Sequence, residues 1–343
     1  MDQNGSSQTD NLQNNDKREE NTLNIDPESE YLDLSHHPHA AMGVGYPVGA
    51  HVTDMDLTNC RIKKIENIDH LINLKRLCVR QNLITTVENL KKLVSMENLD
   101  LYDNQISQPN EEELNHLTNL KILDLSFNRL RHPATKLKLD QLEELYYVNN
   151  KIKEMDDGAF EHLPKLVLLE LGSNRIRQIK NLEPLSNTLK ELWLGTNKIT
   201  KLENLSSLTN IVRLSLQSNR LTKIEGLESL VNLEELYLSE NGIEKMEGLH
   251  TLKNLKILDV AQNQITKLEG LEELTQLEEL WANSNQIGSF ETVDSASRMI
   301  PQITCVFLSH NPIAKDTQYK RKIQLIFPKL IQIDGFPIVR SLQ

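Results

Sequence analysis

The chain of 343 residues carries 38 Lys and Arg against 49 Asp and Glu, a net charge of −11. Phosphate binding runs on clustered basic residues, so this balance argues against a nucleic acid partner and an anionic membrane surface; a basic protein surface is the natural complement. Cys60, Cys78 and Cys305 form no disulfide cluster, no run approaches the roughly 18 apolar residues of a membrane span, and the N-terminus has no apolar core of a secretory signal. The expected compartment is a reducing one, nucleus or cytoplasm.

Residues 1 to about 34 hold nine Asp/Glu against Lys17 and Arg18, the composition of a disordered tail. The next stretch, to His51, contains His36, His37, His39 and His51 among Gly and Pro. No Cys or carboxylate is spaced to complete a metal site there. It reads as a linker that ends by covering the open edge of the folded region, so residues 1–45 are assigned as acidic tail and linker.

Residues 46–313 repeat one pattern, clearest at Leu233-Glu234-Glu235-Leu236-Tyr237-Leu238-Ser239-Glu240-Asn241-Gly242-Ile243. L-x-x-L-x-L-x-x-N-x-I is the consensus of a leucine-rich repeat. The marker position recurs at Cys60, Asn82, Asn104, Asn128, Asn150, Asn174, Asn197, Asn219, Asn241, Asn263, Asn285 and Asn311, twelve units in which seven of eleven spacings are 22 residues. Each unit supplies one short strand whose leucines point inward and whose intervening residues point out. The expected fold is an α/β leucine-rich repeat solenoid, or horseshoe. A parallel sheet lines its concave face, with turns or short 3₁₀ segments on the convex side. The marker Asn is expected to satisfy backbone groups of its own and the next turn. Six units carry Glu followed by Asn or Gly on the outer segment, at Glu66, Glu88, Glu203, Glu225, Glu247 and Glu269.

Three outer segments are longer: Ser107–Glu113, Asp157–Pro164, expected to hold a small helical turn, and Glu291–Met299, expected to be a helix. Residues 314–343 read as a cap, in which Ile323, Ile326 and Phe327 fit one helix face that shields the last repeat.

Only outward side chains of the concave strands are free of packing duty. Four residues before each marker stand Asp56, Cys78, Asp100, Asp124, Tyr146, Glu170, Trp193, Ser215, Tyr237, Asp259, Trp281 and Phe307. Of the 15 aromatics in the chain, five lie in this column, including both tryptophans. Glu144, Glu191, Glu235 and Glu279 stand two residues earlier, Tyr102 and Asn283 two later. Aromatics also raise strand propensity. An open sheet rarely exposes so much apolar area without use, however, and aromatic anchors ringed by polar groups describe a protein-binding surface. No Ser/His or Cys/His arrangement and no phosphate-cradling glycine loop accompanies them, so neither an enzyme nor a cofactor is expected.

The outer pattern Ile-x-x-Ile-Glu-Asn/Gly-Leu, the strings Leu99–Ile106, Leu169–Arg177 and Gln217–Leu227, and the C-terminal cap resemble the leucine-rich-repeat regulatory subunits of protein phosphatase 1 over about residues 52–335. The resemblance implies a non-catalytic subunit, monomeric alone, that grips the phosphatase catalytic subunit through its concave face, with a third inhibitory subunit as a further partner. It implies control of phosphatase activity or maturation, a nuclear location and a mitotic role. Matched position by position, the binding set is Asp124, Tyr146, Glu170, Trp193, Asp259, Glu279, Trp281 and Phe307, with Asp100, Tyr102 and Tyr237 as further candidates. No basic-Val-x-Phe docking peptide is present. The alternative is an intracellular repeat adaptor of a splicing or cytoskeletal complex; a secreted ectodomain fits the cysteine pattern poorly.

Overall fold

The computed structural model describes residue 26 and residues 28–37 and 49–338. Its strands form one fifteen-stranded sheet in sequence order. They are β1 Tyr31–Asp33, β2 Asp54–Asp56, β3 Arg76–Cys78, β4 Asn98–Asp100, β5 Ile122–Asp124, β6 Glu144–Tyr146, β7 Leu168–Glu170, β8 Glu191–Trp193, β9 Arg213–Ser215, β10 Glu235–Tyr237, β11 Ile257–Asp259, β12 Glu279–Trp281, β13 Cys305–Phe307, β14 Gln332–Ile333 and β15 Phe336–Pro337. All neighbours pair in parallel except the closing β14–β15 hairpin. This is the expected solenoid. In each three-residue strand of the repeats the central residue is buried, as Leu236 is, and its neighbours look outward.

The marker asparagines hold the turns. Asn150 accepts the Leu130 N–H at 2.9 Å and donates to the carbonyls of Leu125, Tyr147 and Val148 at 3.0–3.3 Å. Leu125 and Leu130 belong to the preceding repeat, so the bridge runs backwards along the solenoid rather than to the next turn. Geometry decides this: the side chain leaves the strand end toward carbonyls already laid down beside it. In the first of the twelve units, Cys60 stands in for Asn and directs its Sγ to the Leu34 carbonyl at 3.0 Å. The Glu-Asn/Gly motif also acquires a reason. Its second residue is left-handed, with φ of 60° at Asn67 and 70° at Gly248. A Cβ on Gly248 would stand 2.5 Å from the Ile224 carbonyl oxygen, a contact only glycine avoids there.

Of the longer outer segments, Glu111–Leu114 forms a short helix α1, Phe290–Met299 forms α2, and the Asp157–Pro164 region makes turns without a helix. The cap helix α3, Tyr319–Ile326, buries Tyr319 and Ile323, and Phe327 after it is also buried, while Ile326 is only partly so. The Lys322 ammonium sits 4.7 Å from the Phe290 ring centre, laying α3 against α2. The cap further adds β14, with Ile333 beside Val306.

One assignment is corrected. Within the segment read as disordered tail and linker, residues 1–45, strand β1 pairs with β2, Tyr31 to Asp54 and Asp33 to Asp56. Leu32 and Leu34 are buried. Leu34 and His36 donate backbone N–H groups to Asp56 and Thr58. Glu-Tyr-Leu-Asp-Leu is thus the strand of a further repeat that covers Met55 and Leu57, and the solenoid begins near Glu30 rather than at residue 46. Residues 1–25, 27 and 38–45 of that segment, His39 among them, lie outside the described residues.

Candidate functional site

Strand register aligns the predicted column as one continuous file across the concave wall. Asp56 pairs with Cys78, Cys78 with Asp100, and so on through Trp281 to Phe307. Asp124, Tyr146, Glu170, Trp193, Tyr237, Trp281, Phe307 and Asp100 are half-exposed, as are Glu279 and Tyr102 beside the file. Asp259 is the exception among the candidates, 7% exposed.

The two halves of the file differ. In the C-terminal half the rings form a chain. Trp193 stacks on Tyr237 with centroids 6.0 Å apart, Tyr237 meets Trp281 at 6.2 Å, and Trp281 meets Phe307 edge-on at 5.8 Å. Residues two strands apart are separated by about 9–10 Å of backbone, so Trp193, Tyr237 and Trp281 must lean toward one another. They can because the intervening Ser215 and Asp259 are small enough to lie beneath them, 1% and 7% exposed.

Four rings of the file, all but Phe307, are also clipped by the glutamate two residues before them, which period-2 geometry puts on the same face. Glu144 accepts from the Tyr146 hydroxyl at 2.6 Å, Glu235 from the Tyr237 hydroxyl at 2.8 Å, Glu191 from the Trp193 indole N–H at 3.3 Å and Glu279 from that of Trp281 at 3.0 Å. Burial, followed by the neighbouring glutamate, drives the Tyr146 and Tyr237 hydroxyls well above the usual phenol range, so both remain proton donors.

The N-terminal half is acidic. Asp100, Asp124 and Glu170 lie within four strands of one another. The two aspartates each accept the backbone N–H two residues on, at 3.0 Å from Tyr102 and 2.8 Å from Ser126; the second oxygen of Asp124 is left for a partner, while that of Asp100 faces Arg80. Asp259 likewise accepts the Ala261 N–H and also bonds the Ser239 side chain. Burial first, then the Asp124 charge, raises Glu170 above the ordinary carboxylate range. Burial raises Asp100 and Asp259 likewise. Arg80 approaches Asp100 at 3.5 Å and covers the Tyr102 ring at 4.2 Å; Tyr102 in turn meets Phe127 at 4.6 Å. Among the described residues no lysine or arginine forms an ion pair with Asp124 or Glu170. A surface of half-buried, undercompensated carboxylates beside an aromatic rail suits a protein that brings both a cation and an apolar group.

Sequence reasoning overlooked Arg213. It sits on β9 in the column that carries glutamate on β8 and β10, and it bridges them, Nη1 to Glu191 at 2.6 Å and Nε to Glu235 at 2.9 Å. A lone basic residue flanked by Glu at the same register position was the available signal. The buried thiols offer no nucleophile: burial raises Cys78, and pushes Cys305 up to about 11. Away from the sheet, a groove of about 970 Å³ lies beside α1, lined by Thr85, Glu111, Lys136 and His162 among others. It contains none of the predicted site residues.

Models of the leucine-rich repeat match residues 209–251, 231–273 and 253–295, and a second such model matches 140–188. The chain is 59% identical over 54 residues to protein phosphatase 1 regulatory subunit pprA of Dictyostelium discoideum, 16% of each chain. It is 46% identical over 80 residues to protein phosphatase 1 regulatory subunit 7 of Xenopus tropicalis, 23% of this chain and 16% of that one. These alignments therefore span well under two thirds of either relative. An internalin, inlF of Listeria monocytogenes, shares the fold with a TM-score of 0.64 at 26% identity, over 84% of this chain and 87% of its own.

Proposed function

For this chain, a leucine-rich repeat protein whose curated relatives are protein phosphatase 1 regulatory subunits, we propose the role of a non-catalytic subunit that holds the phosphatase catalytic subunit on its concave face. The observation that supports it most is the file from Asp100 to Phe307. It carries, on one open sheet, Asp124 and Glu170, which have no ion-pair partner among the described residues, and a chain of rings from Trp193 to Phe307, in a sequence related to such subunits. Fourteen parallel strands at about 4.8 Å extend over roughly 60 Å, a span that matches a folded protein and not a small ligand.

In this reading, Trp193, Tyr237, Trp281 and Phe307 anchor apolar groups of the phosphatase. Asp100, Asp124 and Glu170 receive its basic residues, and the cost of their partial burial is recovered when a cation arrives. Tyr146 stands among the acids, between Asp124 and Glu170. Binding controls the activity or maturation of the phosphatase, in the nucleus and during mitosis, with room left on the convex side for a third subunit.

Native co-precipitation of the full chain, followed by a phosphatase assay on the captured material, tests this. The proposal requires the protein phosphatase 1 catalytic subunit in the precipitate and a changed activity on release. Ribonucleoprotein or cytoskeletal proteins in its place would support the adaptor alternative instead.

A further inference from the structure

We infer that Arg213 is a positioning and specificity-determining residue of the concave face. It locks Trp193 and Tyr237 into a rigid platform of lowered negative charge that takes an apolar or aromatic group and turns basic groups toward Asp100, Asp124 and Glu170. The partner arm of this inference rests on the proposed phosphatase role; the positioning arm does not.

The contacts close a ring of residues over β8, β9 and β10. Arg213 holds Glu191 and Glu235 through two different nitrogens. Glu191 uses its other oxygen on the Trp193 indole, and Glu235 uses its other oxygen on the Tyr237 hydroxyl. The two aromatic planes then stack 22° from parallel across Ser215. Each carboxylate therefore has one oxygen on a guanidinium and one on a ring donor, so neither can swing away without breaking two bonds. A planar fork is the group that can satisfy two carboxylates on opposite sides at fixed spacing; an ammonium on a flexible stem does this poorly.

Charge follows geometry. Glu191 and Glu235 would otherwise extend the acidic half of the face to β10. Arg213 partly neutralises both, and its own charge is held firmly by them: their hydrogen bonds and Coulomb attraction outweigh desolvation, so its affinity for the proton is raised. At β12, among the described residues, no such cation pairs with Glu279, whose carboxylate meets the Trp281 indole. The face is thereby graded into an acidic segment through β7, a platform over β8 to β10 where one guanidinium offsets one of two carboxylate charges, and further acids at Asp259 and Glu279.

Two readouts test this. In the Trp281→Phe chain, Trp193 is the sole tryptophan, and its emission and acrylamide quenching report the platform without any partner. Arg213→Gln is expected to red-shift the emission and raise quenching, with the far-ultraviolet circular dichroism unchanged; Arg213→Lys should restore the spectrum only in part. In the otherwise native full chain, Arg213→Gln should weaken binding of the purified phosphatase 1 catalytic subunit about tenfold, the loss of one charge-assisted hydrogen-bond set. Unchanged Trp193 fluorescence in Arg213→Gln would overturn the positioning role. Tighter binding by Arg213→Gln would overturn the specificity role, because the glutamates and not the rings would then be meeting the partner. A native chain that fails to bind the catalytic subunit would remove the proposed function, while the fluorescence comparison still decides the role of Arg213.

Discussion

Trp193 and Tyr237 stack with centroids 6.0 Å apart although a whole strand lies between theirs. The stack exists because Ser215, 1% exposed, fits under both rings. Ser215→Leu should therefore drive the rings apart. Overpacking of this kind costs about 1–3 kcal/mol. The expected result is a lower urea midpoint together with red-shifted tryptophan emission; an unchanged spectrum would mean that the rings do not close over Ser215.

The asparagine bridge makes a separate stability prediction. Asn150→Ala removes the acceptor of the Leu130 N–H and the donor to Leu125, Tyr147 and Val148 in one step. Each buried group left unsatisfied costs roughly 1–3 kcal/mol, so a loss of about 2–5 kcal/mol is expected after partial relaxation. Urea denaturation of the full chain measures it, and a loss under about 1 kcal/mol would show that water replaces the bridge.

Glu170 gives a pH dependence of definite sign. Its native pKa is raised, chiefly by burial and secondly by Asp124. The native state thus binds this proton more tightly than the unfolded chain, and stability falls as pH rises from the ordinary carboxylate value of about 4.3 through the native one. At pH 7 Glu170→Gln should melt higher than the native chain, and the difference should vanish as the pH approaches 4. The same variant should bind the phosphatase less well, the signature of a residue kept for association at a cost in stability. A variant that melts lower at pH 7 would refute the assignment.

The N-terminal strand predicts a local effect. Leu32 is 4% exposed beside Met55. In a stacked array each unit contacts only its neighbours, so Leu32→Asp should open the first units and spare the middle. Hydrogen exchange should quicken at the Leu34 and His36 amides, which donate to Asp56 and Thr58, while β10 amides stay protected. Uniform loss of protection would argue for one cooperative core.

These residues also show what the sequence could and could not reveal. The solenoid and the file from Asp56 to Phe307 followed from a leucine pattern held in register, because a period-2 strand fixes which side chains face out. Leu32 and Leu34 obey the same pattern, but His37 occupies the marker position and the surrounding composition is polar, so the strand was hidden. The direction of the asparagine bridge was equally illegible, since consensus spacing does not distinguish the preceding turn from the following one. Arg213 and Ser215 were passed over for a third reason. Their roles depend on contacts across two strands, and those depend on how far large rings lean over small neighbours.

The most direct measurement is calorimetry of the full chain with purified protein phosphatase 1 catalytic subunit, comparing the native protein, Trp281→Ala and Lys267→Ala. Trp281 stands on the concave face between Tyr237 and Phe307, whereas Lys267 is exposed on an outer segment. The account predicts binding by the native chain, a loss of about 2–4 kcal/mol in Trp281→Ala with the fold retained, and no change in Lys267→Ala. Absence of binding by the native chain, or tight binding untouched by Trp281→Ala, would contradict it.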